Sequence, residues 1–101
     1  PEAILRLERH GGTLITCDSL QNFNGPDAFF NEVAAERMEA GGFLIPANVG
    51  PGWRKATDPR PNDFARLKKL EFKHVLGGHG EPCLGNAKDQ YGDTFNRLFG
   101  V

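Results

Sequence analysis

At 101 residues the chain holds one domain at most, with room for a single modest core. Hydrophobic residues at 39%, charged residues at 25% and a net charge of -1 place it among ordinary globular chains, and exclude a strong pull on nucleic acid or anionic membrane. Its longest apolar runs, such as Ala3 to Leu5 and Gly42 to Ile45, fall far short of the roughly 20 residues that span a bilayer.

The chain opens Pro1-Glu2-Ala3-Ile4 and passes almost at once into a strand-like pattern. With no basic segment, apolar signal core or initiating Met, it reads as an interior starting point of a longer or processed protein. Cys17 and Cys83 carry no disulfide framework, so a reducing cytoplasm is the expected compartment, with a bridge between the two left open.

Ala3 to Arg9 alternates apolar and charged residues, Thr13 to Cys17 is β-branched and apolar, and His10-Gly11-Gly12 between them suits a tight turn. Two antiparallel strands are expected, the first with Leu5 and Leu7 on one face and Arg6 and Glu8 on the other. Ser19 to Gly25 reads as a loop. Pro26 and Asp27 then start a helix that packs by Phe30, Val33 and Met38 and ends at Gly41-Gly42. Phe43 to Arg60 has no sustained period and contains prolines and glycines, so a long ordered loop is expected there. Pro61-Asn62-Asp63 starts a second helix with Phe64, Leu67 and Leu70 inward. Lys73 to Gly77 reads as a short strand and Gly78 to Gly85 as a turn-rich loop. Asn86 is the expected N-cap of a last helix whose apolar face is Ala87, Tyr91, Phe95, Leu98 and Phe99. The order β-β-α-loop-α-β-α predicts an α/β layered (α+β) domain, single over residues 1–101, with helices packed on a small sheet.

Two strand ends carry residues with chemistry. Thr13 to Asp18 finishes in an acid, and His74 to Pro82 passes through an imidazole, His79, flanked by glycines. A carboxylate at a strand end can hold one divalent ion or bridge two, and residues without a Cβ let a metal or substrate approach closely. Each residue alone is more often a turn or loop residue.

Gly12-Thr13-Leu14-Ile15-Thr16-Cys17-Asp18-Ser19-Leu20-Gln21-Asn22, followed about 60 residues on by Gly78-His79-Gly80-Glu81-Pro82, resembles the second half of a metallo-beta-lactamase superfamily domain. That resemblance implies the C-terminal half of an αββα sandwich. It implies Asp18 as a metal-bridging ligand and His79 as a second ligand, zinc in a two-metal site with iron or manganese as alternatives, and hydroxide on the metal attacking an ester, thioester, amide or phosphoester of a small-molecule substrate. The family's upstream His-x-His-x-Asp-His motif is not in this sequence, and His10 in a turn and His74 inside a strand do not replace it. The chain by itself is therefore expected to be inactive and to bind metal weakly or not at all. Its expected partner is the missing N-terminal half, or a second copy; the competing reading is a non-catalytic, self-associating or partner-binding module on the same scaffold.

Other residues have paired readings. Strand alternation puts Cys17 in the core if Asp18 faces the site. Cys83 is either a core thiol or an exposed one supporting the site. Glu81 either hydrogen-bonds a ligand or carries a proton, or is a solvated loop acid. Trp53 and Arg54, with Lys55, either rim an active site against an anionic or aromatic substrate, or tack a loop to the core with the cations in water.

Overall fold

In a computed structural model, described over residues 2–24 and 31–101, the chain runs β1 (Leu5–Leu7), β2 (Thr13–Ile15), β3 (Leu20–Gln21), α1 (Glu32–Ala40), β4 (Asn48–Val49), α2 (Pro51–Thr57), α3 (Pro61–Lys68), β5 (His74–Leu76) and α4 (Ala87–Phe99). The class is α+β, as expected. β1 and β2 form the antiparallel hairpin, Leu5 opposite Ile15, and β5 adds to the other side of β2 in parallel, Ile15 opposite Leu76. The turn between β1 and β2 is a short 3-10 segment, Arg9–Gly11, in which His10 is exposed with φ 55°. Gly12 has φ 103°, and a Cβ there would lie 2.3 Å from the carbonyl oxygen of Glu71, so the hairpin needs a glycine to pass beside the segment that leads into β5. A second, two-stranded sheet pairs β3 with β4.

Residues paired across a sheet point to the same side. One face of the three-stranded sheet therefore carries Leu14 and Val75, both fully buried, and α4 covers it with Ala87, Tyr91 and Phe95. Phe64 of α3 joins that core, stacked at 4.2 Å on Phe99 and tilted at 5.1 Å against Phe95. The opposite face carries the row Leu5, Ile15 and Leu76. Cys83 bridges Val75 from the far side of β5, and Leu84 follows it outside the strand. Leu5 and Leu84 are 61% and 63% exposed, and Leu7 and Leu76 are also exposed.

Five expectations are corrected. Ser19 to Gly25 is not wholly loop, because Leu20 and Gln21 are buried as β3. Phe43 to Arg60 holds β4 and α2: Pro51 and Pro61 each occupy the first turn of a helix, where a missing N–H costs nothing, so they open α2 and α3 and do not interrupt a chain segment. The helix expected from Pro26 is seen from Glu32, with the Asn31 side chain accepting the Ala34 N–H at 2.7 Å as its N-cap; Pro26, Asp27 and Phe30 lie outside the described residues. Val33 does not pack that helix inward and is 57% exposed. Asn86 stands at the N-cap position of α4, but its side chain accepts from Gln90 and not from the backbone.

Candidate functional site

Because β2 and β5 are adjacent and parallel, the chain leaves both at the same end, the end where α/β sheets present their ligand crevices. The two exits are laced together. Thr16 N–H donates to Leu76 O at 2.9 Å and Gly78 N–H to Cys17 O at 3.0 Å. Asn22, buried, ties a third strand of chain to them: its side-chain amide donates to the carbonyls of Glu81 and Pro82, and its oxygen accepts the Ala47 N–H at 2.9 Å. Gly80 has φ 84°, and a Cβ on it would lie 2.1 Å from Asn22 O, so this packing is open to glycine alone.

The result is one contact between the two exits: Asp18 Oδ1 and His79 Nε2 lie 2.6 Å apart, with both side chains about half exposed. A carboxylate only accepts, so Nε2 carries the proton, leaving Nδ1 of a neutral ring as an acceptor. The pair is a preformed carboxylate–imidazole couple on a backbone fixed from several sides.

A zinc ion held by both groups in tetrahedral geometry would set the oxygen and nitrogen roughly 3.3 Å apart, given bonds of about 2.0–2.1 Å. The pair would have to open by well under 1 Å and give up the Nε2 proton. Number of donors is the larger obstacle. A catalytic zinc takes three protein ligands and an open position, and no cluster of three or more His, Cys, Asp or Glu able to hold a metal exists among the described residues. The described residues do not complete a metal centre.

Cys17 is exposed beside Asp18, against the expectation of a core thiol. β2 ends at Ile15, so residues 16–19 form a turn in which strand alternation no longer decides direction. The Asp18 carboxylate, with smaller effects from burial and Glu2, pushes the Cys17 thiol above its ordinary pKa, which makes it a poor nucleophile at neutral pH. Of the two readings of Cys83 the structure favours the core one: it is buried against Val75, burial raises its pKa, and both cysteines are free. Glu81 is an exposed loop acid that accepts from the Asn24 side chain at 2.6 Å. Trp53 and Arg54 sit on α2 and not on a loop. Trp53 packs edge-on against Phe64 and Arg54 lies over the Phe99 ring at 5.2 Å, so both brace α2 against the core. His74 is half-buried, its Nδ1 accepting the Gly85 N–H at 3.0 Å.

Sequence reasoning missed three supports of the pair. Glu2 reaches the Asp18 turn from the N-terminal segment, and no local pattern marks it. Asn22 stands in a stretch that reads as polar loop. Tyr91 donates its buried hydroxyl to Gln21 O at 2.7 Å, while the Gln21 amide donates to Asp18 O at 3.0 Å, connecting α4 to the site turn. Apolar periodicity identifies Tyr91 as a core residue but not its polar end.

A cleft of about 590 Å³ adjoins this turn, with Ile4, Trp53, Phe64 and Leu67 on its apolar side and Arg60 and Arg66 among its polar residues. Glu2 and Ser19 line it; Asp18 and His79 do not. No helix among the described residues is long and apolar enough to cross a membrane. Comparison with protein-family models, with curated proteins and with solved structures returned no match.

Proposed function

We propose that the chain is the C-terminal part of a metal-dependent hydrolase of the metallo-beta-lactamase superfamily, contributing Asp18 and His79 to a centre whose remaining ligands come from an upstream half. The observation that carries this reading is the 2.6 Å approach of Asp18 to His79 across the exits of two parallel strands, 61 residues apart in sequence. Zinc is the metal the pair suits first, with iron or manganese as alternatives for a mixed imidazole and carboxylate set. When bound, the metal supplies Lewis acidity and lowers the pKa of water for attack on an ester, thioester, amide or phosphoester. The chain's own residues orient the two ligands: Asn22 and the glycine loop fix His79, and the turn contacts of Glu2 and Gln21 fix Asp18. The coding sequence upstream of Pro1 tests this. A His-x-His-x-Asp-His stretch within about 150 residues, roughly one domain length, is the expected finding, and its absence from the transcript sinks the reading.

The exposed apolar face of Leu5, Leu7 and Leu76 favours a second reading, a non-catalytic module that associates with itself or a partner through this sheet. The two separate by mass and metal together. A compact monomer with stoichiometric zinc counts against the module; an assembly without metal, formed by the product of the whole gene, counts against the hydrolase.

A further inference from the structure

We infer that Glu2 is a positioning residue for the Asp18–His79 pair, an inference that rests on reading that pair as the functional site. The Glu2 carboxylate accepts the Asp18 N–H at 2.6 Å and the Ser19 N–H at 3.0 Å through one oxygen, and the Ser19 hydroxyl through the other. Three donors from two successive residues thus converge on one side chain from 16 and 17 positions away. The other contacts on this turn use its carbonyls: Cys17 O accepts from Gly78 and Asp18 O from Gln21.

Glu2 therefore holds the N–H side of the turn while Gly78, just past β5, and Gln21 of β3 hold the carbonyl side, and rotation of the Asp18 peptide is blocked from both directions. Ile4, packed against the core, and β1, paired from Leu5, deliver Glu2 to this place along a fixed path, so little chain entropy opposes the contact. Without the carboxylate, the Asp18 and Ser19 N–H groups lose their acceptor and the Asp18 side chain loses its fixed direction toward His79.

The test is nuclear magnetic resonance of the metal-free chain, comparing Glu2→Ala with Glu2→Gln, whose side-chain oxygen still accepts. In the wild type a His79 Nε2–H signal, held by the bond to Asp18, is the expected reference. Glu2→Ala is expected to abolish it and to speed exchange of the Asp18 and Ser19 amides about tenfold or more, while the Tyr91 and Phe95 ring signals stay in place. Glu2→Gln is expected to retain the Nε2–H signal and much of the amide protection. A Glu2→Ala variant with wild-type His79 and amide signals overturns the inference, as does a folded Glu2→Gln variant as disordered at the turn as Glu2→Ala. Should Glu2→Ala unfold the chain, Glu2→Met, of similar length but without an acceptor oxygen, takes its place with the same expected losses, and wild-type signals in it overturn the inference. Because no metal enters the experiment, its failure and a failure of the hydrolase reading are distinct results.

Discussion

Cys17 and Asp18 are consecutive, and the carboxylate of one opposes ionisation of the other. Since the folded thiol ionises at higher pH than an ordinary one, unfolding releases a proton at pH above the ordinary thiol value, and stability falls there as pH rises. Below that value the thiol is protonated in both states and the effect is absent. Asp18→Asn removes the largest cause of the shift, so it is expected to speed alkylation of Cys17 by iodoacetamide in mildly alkaline buffer; an unchanged rate contradicts the electrostatic account. Local pattern places Asp18 and His79 at the ends of strand-like runs, with glycines flanking the His; their pairing comes from the resemblance to a metallo-beta-lactamase domain and not from pattern. The direction of Cys17 was not legible, since it depends on β2 stopping at Ile15, and strand ends are set by pairing partners that alternation does not reveal.

Among the elements, α4 supports the site most directly. Tyr91→Phe keeps the ring but leaves Gln21 O without its buried donor, at an expected cost of about 1–3 kcal/mol in denaturant unfolding. Burial holds the Tyr91 hydroxyl protonated far above the ordinary tyrosine range, so above that range the unfolded chain ionises first and stability falls as pH rises. On the other side of the site, Gly80→Ala combines a positive φ with a clash on Asn22 O and is expected to cost more than about 1 kcal/mol. Its amide spectrum should change first at Asn22 and His79; an intact Asp18–His79 contact in this variant would show that the loop tolerates a side chain. The amphipathic spacing of Ala87, Tyr91 and Phe95 made α4 readable from sequence, as did the glycine turn of the first hairpin. α2 was not, because Pro51 at the start of a helix and a proline that breaks one look alike until the partner of the preceding N–H is known. β3 and β4, two residues each, are too short to show a period, and burial of Leu20 and Val49 comes from tertiary contacts alone.

At the scale of the whole molecule, the described residues cover the three-stranded sheet with helices on one side. The row Leu5, Ile15 and Leu76 lies on the other side, and on the self-associating reading it is the surface of contact. Leu5→Glu should lower the weight-average mass of this chain in light scattering while leaving its helix content intact, since Leu5 does not belong to the core. The central claim concerns the two ligands and is tested most directly by elemental analysis of the protein made from its whole gene, beside Asp18→Ala and His79→Ala. Stoichiometric metal in the unsubstituted protein and its loss in each variant is the expected result, and metal content that either substitution leaves unchanged would contradict the assignment.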